Sequence, residues 1–129
     1  MSAFSDALSV TSSGLRAQAT RLRVVSENIA NADTPGYRRK TIPFEIEKAG
    51  NTLSKVEAGA VNLDRSELTK IHDPSHPLAD ATGHYDGSNV DLIIEIADAR
   101  EAQRSYEANL KMFDQTRQMS TSLMDLLRR

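Results

Sequence analysis

The chain has 129 residues, of which 39% are hydrophobic and 5% aromatic, with no tryptophan. Its formal net charge of −2 argues against a dedicated nucleic-acid binder, which is usually basic overall or along one face. Because it contains no cysteine, disulfides, thiolate metal sites and a cysteine nucleophile are excluded.

The first residues contain neither a basic region nor an apolar core, so we expect no cleaved Sec-type signal peptide. No run approaches the ~18 consecutive apolar residues of a membrane span, so we expect no direct membrane insertion. Apolar residues are concentrated toward the two ends of the chain. This distribution favours burial between those ends, or between chains.

Residues 1–33 are predicted to form an N-terminal helix. A seven-residue spacing, typical of a near-coiled-coil stripe, connects Leu8, Leu15, Leu22 and Ile29. A lone helix with so narrow a stripe is marginal in water and needs a partner. Asn31 can take a left-handed conformation at the helix end. Pro35 and Gly36 then fit the two central positions of a type II turn.

Residues 34–88 are predicted to form a small, irregular β-containing insert. Ile42, Phe44 and Ile46 alternate with other residues, as in a short strand with Pro43 at an edge. Weaker alternation occurs over residues 61–63 and 68–70. Turns are predicted at 49–52 and 58–59, and a loop at 73–77.

The insert contains two groups of residues of the types that form metal sites and catalytic sites. His72, His76 and His84 lie near aspartates, but their spacing matches no strong metal signature, and we favour solvated or turn-forming roles. Glu45 and Glu47 share a strand face, yet the chain offers too little core to build a catalytic cleft around them. Phosphate-loop, dinucleotide-binding and nucleophile-elbow motifs are missing from the sequence. We therefore expect no enzymatic activity, metal or cofactor.

A basic cluster, Arg38, Arg39 and Lys40, follows Tyr37 directly. Three charges are too few for convincing nucleic-acid binding, because affinity rises with the number of phosphates neutralised. We favour a solvated patch or charged contacts with acidic faces of neighbouring subunits.

Residues 89–129 are predicted to form a C-terminal helix of ~35 residues and ~50 Å, a length typical of a coiled coil or filament element. The run from Ser88 to Asp91 matches a capping box at its start. The predicted interface of this helix comprises Leu92, Ile96, Ala99, Tyr106, Leu110, Phe113, Leu123 and Leu127.

These segments predict a mainly α fold. We expect the long N- and C-terminal helices to pack as an antiparallel coiled-coil-like pair, with the irregular β-containing insert between them. Such a chain suits a subunit of a larger assembly. The alternative from a different class is a cytosolic coiled-coil adaptor or chaperone that binds a partner helix.

Residues 26–40 resemble the signature of the flagellar rod and hook proteins. That family has an Ala-Asn-x-x-Thr-Pro-Gly-Tyr motif directly after its N-terminal helix. Its fixed positions are met by Ala30, Asn31, Thr34, Pro35, Gly36 and Tyr37. Residues 73–77, 89–91 and 101–109, and the short chain, are similar to one proximal rod protein of the family. A sibling proximal rod protein that shares the first motif stays as an alternative.

The resemblance implies a structural subunit of the flagellar basal body without a cofactor. It implies export by the flagellar type III apparatus, helical assembly into the periplasmic rod, and transmission of torque from motor to hook. The implied partners are copies of the chain, other rod proteins, and the membrane ring and export apparatus at the rod base. Nucleic acid is not among them.

Overall fold

A computed structural model describes residues 2–49 and 53–128. The elements are α1 (Ser2–Ala30), β1 (Lys40–Thr41), β2 (Phe44–Ala49), β3 (Leu53–Ala58), β4 (Asn62–Leu63), β5 (Lys70–His72), β6 (His84–Asp86) and α2 (Leu92–Leu127). The chain is thus mainly helical, with a helix at each end and a small β-containing insert between them. This confirms the predicted distribution of helix and strand.

The described strands form three separate two-stranded antiparallel sheets, β1–β4, β2–β3 and β5–β6. The β2–β3 hairpin has the longest register, from Phe44 opposite Ala58 to Ala49 opposite Leu53. β2, β4 and β5 lie near the predicted alternating runs. β3 and β6 were not predicted, because neither has a clear alternation of its own. The predicted turn at 49–52 falls mostly on residues outside the described part of the chain.

α1 contacts both α2 and the β2–β3 hairpin. Along the helix pair, Asn28 lies beside Glu95 and Gly14 lies beside Asn109, so the contact moves back along α2 as it advances along α1. Toward the hairpin, the backbone N–H of Val56 in β3 donates to Ser13 Oγ at 3.2 Å. α1 is therefore the central element, with α2 and β3 packed on its surface.

The most buried positions of the helices are valines, small residues and polar residues, and not the predicted leucine row. On α1 and α2 they are Ser13, Ala17, Val24, Val25, Asn28, Glu95 and Ala102. Leu8, Leu15 and Leu22 are half-buried, and Ile29 is exposed. Small residues allow the helix axes to approach closely: a Cβ added at Gly14 would lie 3.2 Å from the Asn109 side chain. The leucine row therefore lies on the flank of the pair, where part of it stays accessible.

The chain leaves α1 through the predicted turn. Gly36 has φ of 75°, as the third position of a type II turn requires, and Tyr37 N–H donates to the Thr34 carbonyl at 3.2 Å. The prediction of a left-handed Asn31 is wrong, because no described residue other than glycine has a positive φ. Instead, the Asn31 side-chain amide donates to the Glu27 carbonyl at 2.8 Å, and this hydrogen bond joins Asn31 to the last turn of the helix.

α2 begins three residues later than the predicted capping box places it. Asp91 is the N-cap, and its carboxylate accepts a hydrogen bond from Ile93 N–H at 3.0 Å. Ser88 has a different role: it is buried, and its hydroxyl donates to the carbonyl of Ala32. The predicted capping box is wrong, because the Ser88 hydroxyl bonds to the Ala32 carbonyl and does not cap α2. The predicted length is confirmed, since α2 has 36 residues.

Candidate functional site

The predicted assembly motif, residues Ala30, Asn31, Thr34, Pro35, Gly36 and Tyr37, lies where the chain passes from α1 toward the insert. Its last residue, Tyr37, contacts a buried amide, that of Asn28. Asn28 is 1% exposed. Its Nδ2 donates to the Lys40 carbonyl at 2.8 Å and to Glu95 Oε2 at 3.2 Å. Its Oδ1 accepts from the Tyr37 hydroxyl at 2.8 Å and from Lys40 N–H at 2.9 Å. The amide has used its full bonding capacity and holds residues 31–40, which we call the connector, against both helices. We call Asn28, Tyr37, Arg39, Lys40 and Glu95 the junction.

The junction contains a buried ion pair. Glu95 is 0% exposed, and a carboxylate so deeply buried requires charged and hydrogen-bonding partners. Arg39 Nε donates to it, while Arg39 Nη2 reaches Asp98 Oδ2 at 3.0 Å. Burial alone would lower the pKa of Arg39, but the hydrogen bond and charge of Glu95, with help from Asp98, raise it. The guanidinium therefore stays charged and ties the connector to the first turns of α2.

The other two members of the basic cluster also find partners within the chain. Lys40 Nζ lies 3.1 Å from Glu27 Oε2, and this hydrogen bond and charge lower the pKa of Glu27. Arg38 donates to the carbonyls of Asp64 at 3.3 Å and Ser66 at 3.0 Å. The sequence did not predict these internal partners. Contacts between the cluster and acidic faces of neighbouring subunits stay a prediction.

The remaining motif residues hold the turn in place. Thr34 Oγ1 donates to Asn31 Oδ1 at 3.1 Å, which closes the end of α1. Gly36 N–H is shared between the carbonyls of Asp86, the last residue of β6, at 3.2 Å and Gly87 at 3.1 Å. Ala30 and Pro35 are exposed and make no such bond among the described residues. The motif thus combines residues that hold the connector with residues that face outward.

Sequence reasoning missed three residues at this site. Asn28 and Glu95 are the centre of the junction, and Asn89 links it to the insert by accepting from Arg39 N–H and donating to the Asp64 carbonyl. A signal was present, because Asn28 follows Val24 by four positions on the buried row of α1. However, 67 positions separate Asn28 from Glu95, and only the tertiary structure identifies them as partners.

A second feature is the outer surface formed by the predicted helix interface. Half-buried members are Leu8, Leu15, Leu22, Ala99, Tyr106 and Phe113. Exposed members are Ile29, Leu92, Ile96, Leu110, Leu123 and Leu127, with 38–74% of each side chain accessible. Large apolar patches are unusual on monomeric proteins and mark interaction surfaces. The interface role itself stays a prediction.

The histidines pack with other rings of the β5–β6 unit. His72 meets His84 edge-on with centroids 4.7 Å apart, and His76 stacks on Tyr85 at 3.9 Å. Nearby, Asp80 accepts bonds from Thr82 and His84, and the Thr82 hydroxyl foremost lowers the Asp80 pKa to about 2. Over residues 2–49 and 53–128, no group of three or more acidic, histidine or cysteine side chains is arranged to hold a metal.

Two family models match this chain, one on each helical segment. Residues 8–38 match the family described as flagella basal body rod protein, and residues 81–126 match the flagellar basal body rod FlgEFG protein C-terminal family. The first match spans most of α1 and the motif, and the second spans β6 and nearly all of α2. Both family models therefore include parts of the junction.

Full-length relatives carry the same assignment. The flagellar basal-body rod protein FlgC of Agrobacterium fabrum is 44% identical, over 99% of this chain and 98% of its own length. FlgC of Salmonella typhimurium is 32% identical over 91% and 92% of the two chains. FlgC of Bacillus subtilis is 31% identical over 98% and 99%. The chain belongs to the FlgC family of flagellar basal-body rod proteins. The predicted family is thus confirmed, and FlgC is favoured over the sibling FlgB.

The FlgC relationship covers both helices and the insert between them, so the junction and the outer face of α2 both lie within the matched length. No helix in the described part of the chain has a stretch long and apolar enough to cross a membrane.

Proposed function

We propose that this chain is a structural subunit of the proximal rod of the bacterial flagellar basal body. Full-length similarity to FlgC proteins is the observation that carries the proposal. The role is mechanical and not catalytic: subunits join helically in the periplasm, and the rod transmits torque from the motor to the hook. The cytosolic adaptor is not favoured, because the relatives are named as basal-body rod proteins.

The two helices serve this role as an antiparallel coiled-coil-like pair. Three cross-contacts support the arrangement: Asn28 to Glu95, Arg21 to Glu101, and Gly14 to Asn109. The junction clamps the end of α1 to the start of α2, so the insert leaves the pair in a defined direction. In the rod, the exposed apolar positions of α1 and α2 pack on neighbouring subunits, which are copies of the chain or other rod proteins.

Delivery and contacts at the rod base complete the proposal. The subunit is exported by the flagellar type III apparatus. At the base it meets the membrane ring and the export apparatus. A chain without cysteine suits this route, because it forms no disulfide during export.

The proposal is tested by deleting the gene in its motile host and restoring it on a plasmid. We expect the deletion strain to lack rods and swimming, and the restored strain to carry the chain in isolated basal bodies. A swimming deletion strain would overturn the role. So would a chain that stays in the cytosol in a discrete complex, since that is the behaviour of an adaptor.

A further inference from the structure

β2 presents a free edge of backbone hydrogen-bonding groups. Opposite residues of an antiparallel pair alternate between those that exchange backbone hydrogen bonds and those whose groups point away from the partner strand. Gly59 N–H donates to the Pro43 carbonyl at 2.8 Å, so this pair is of the bonded kind. In the continuous register of β2 and β3, the groups of Phe44, Ile46 and Lys48 therefore point away from β3. They form no hydrogen bond with any residue that the structure describes.

The opposite edge of the hairpin lies against α1. Val56 N–H points away from β2 and donates to Ser13 Oγ at 3.2 Å. This bond agrees with the alternation, because Val56 lies opposite Ile46. An uncovered edge strand with apolar side chains readily accepts another strand. Ile46 is 70% exposed and Phe44 is 40% exposed, so β2 is a strand of this kind.

β5 presents a second free edge. Gly87 N–H donates to the Thr69 carbonyl at 2.7 Å, and these two residues continue the register of β5 and β6. The same alternation then directs the backbone groups of Lys70 and His72 away from β6. Within residues 2–49 and 53–128, these groups have no hydrogen-bond partner, and β5 pairs with β6 alone.

We propose that the free edge of β2 in one copy pairs, in parallel, with the free edge of β5 in a second copy of this chain. Ile46 lies opposite Ile71 in this register, and its N–H and carbonyl bond to Lys70 and His72 of the second copy. The two small sheets become one, with the strand order β3, β2, β5, β6. Joining two different edges is head-to-tail and generates a helix or ring of copies. The proposed contact depends on the rod function and is one of its subunit contacts.

The apolar side chains of the joined sheet lie in one row. Residues directly opposite on neighbouring strands share a face and contact each other. Val56 lies opposite Ile46 within one copy, and Ile71 lies opposite Tyr85 within the other. Pairing Ile46 with Ile71 therefore makes a continuous row of four apolar side chains across the four strands. The exposed Ile46 gains apolar neighbours on both sides.

The charged side chains complement each other on the opposite face. Glu45 has no ion pair among the described residues, and it lies directly opposite a like charge, Glu57. The proposed register brings Lys70 of the second copy beside Glu45. Lys70 already pairs with Asp86 of its own chain, but both side chains are largely exposed. An ammonium group has three donors, so Lys70 can bond to both carboxylates.

Charge also selects this pairing over its alternatives. In an antiparallel pairing of β2 with β5, the outward residues of both edges lie opposite each other, which sets Lys70 against Ile46 and Ile71 against a glutamate. An antiparallel pairing of two β2 edges centred on Ile46 sets Glu45 opposite Glu47, and opposite like charges are destabilising. Only the parallel pairing matches hydrogen bonds, apolar contacts and charge together.

Cysteine cross-linking tests the register, because the sequence has no cysteine. Two differently tagged copies, Glu47→Cys and His72→Cys, have their cysteines opposite each other in the proposed sheet and are co-expressed in the deletion strain. Isolated basal bodies are treated with a short bis-maleimide, and we expect a mixed dimer that joins the two tags. The control pairs Glu47→Cys with Arg100→Cys, which is exposed on α2, and gives no dimer.

A proline substitution tests the backbone edge. Ile46→Pro removes an N–H that points away from β3, so it leaves the bonds within the hairpin intact. Added to the Glu47→Cys copy, it is expected to reduce the mixed dimer about fivefold beyond the loss caused by Ile46→Ala, which keeps the N–H. Unchanged circular dichroism spectra of the purified variants exclude misfolding. Equal losses from the two substitutions would show that strand pairing does not hold the contact.

Charge reversal provides a further test. Glu45→Lys and Glu57→Lys both remove the like-charge pair within the hairpin, so neither should lower the urea midpoint of the purified chain. Only position 45 lies beside Lys70 of the second copy. We therefore expect Glu45→Lys to reduce the chain recovered in basal bodies about fivefold, and Glu57→Lys to leave it near the wild-type amount.

The outcomes separate the strand pairing from the rod function. If the wild-type chain is absent from basal bodies, the rod function fails. If it is present but the mixed dimer is missing, or the cysteines cross-link to a different protein, only the pairing of β2 with β5 is overturned. Equal recovery of Glu45→Lys and Glu57→Lys overturns that pairing as well.

Discussion

A buried asparagine and a buried glutamate hold this molecule together at the residue scale. Asn28 and Glu95 are almost completely inaccessible to solvent. Their side chains are hydrogen-bonded to each other, and Glu95 also accepts a hydrogen bond from Arg39. In an interior of low dielectric, satisfied polar groups specify a unique arrangement, while an unsatisfied one costs stability. The junction therefore defines how the connector, α1 and α2 meet, more than the thin apolar core does.

We expect Asn28→Ala to lower the free energy of unfolding by about 3 kcal/mol, because it leaves the Lys40 N–H and carbonyl without partners. Urea denaturation of the purified chain measures this change. Tyr37→Phe is the matched control, since it removes a single bond to Asn28 and should cost about 1 kcal/mol. An alanine variant no less stable than the phenylalanine variant would show that the junction is not the main constraint.

The Asp80 carboxylate offers a test in acid. Its pKa of about 2 lies below the ordinary 3.8, so its bonds stabilise the folded β5–β6 unit fully above pH 3.8 and are lost as the pH falls through 2. We expect Thr82→Ala to move the Asp80 midpoint upward toward 3.8, measured from the carboxyl ¹³C shift. Thr82→Ser keeps the hydroxyl and should titrate like the wild type. Identical midpoints for Thr82→Ala and the wild type would show that the Thr82 hydroxyl does not cause the low pKa of Asp80.

At the scale of elements, each long helix buries one narrow row and leaves another outside. On α2 the only buried side chains among the described residues are Glu95 and Ala102, while the leucines, isoleucines and methionines are largely accessible. The register of Asn28 with Glu95 and of Gly14 with Asn109 places Ser2 near residue 121. The last turn of α2 therefore extends beyond α1.

The start of α2 gives a prediction at this scale. Asp91→Ala removes the N-cap bond to Ile93 and should cost about 1 kcal/mol in urea denaturation. Hydrogen exchange at residues 92–95 should quicken, since the first turn loses its cap. Asp91→Asn retains the acceptor and should behave like the wild type. If both variants lose the same free energy of unfolding, the charge of Asp91 stabilises α2 and its N-cap hydrogen bond does not.

At the scale of the whole molecule, the exposed helical surface connects fold with assembly. An isolated chain gains little from an accessible Leu123, Leu126 or Leu127, because water surrounds them. Packed against a neighbouring subunit, the same side chains are buried. The junction and the β2–β3 hairpin thus stabilise the fold of the single chain, and the outer faces of the helices are available to pack on neighbouring subunits.

Truncation after Asp114 tests this division of roles. The change removes the last turns of α2, which first lie beside the start of α1 and then extend beyond it, including Met119, Leu123 and Leu127, and it leaves the junction intact. We expect soluble expression to be retained and rod assembly to be lost, as measured by swimming and by the content of isolated basal bodies. Leu123→Ala with Leu127→Ala is the milder companion and should leave urea stability within about 1 kcal/mol. A swimming strain carrying the truncation would contradict the assembly role.

The sequence by itself determined the features encoded by neighbouring residues. The seven-residue periodicity predicted α1 and α2 at close to their observed lengths, Pro35-Gly36 predicted the turn, and the motif around it identified the family. These signals are local, because helix period and turn chemistry depend on residues a few positions apart. Tertiary structure decided which helical row is buried, since a leucine row can face its own chain or a neighbour. It also decided the partners of Asn28, Arg39 and Glu95, because those bonds join residues 9 to 67 positions apart and depend on how the helices pack.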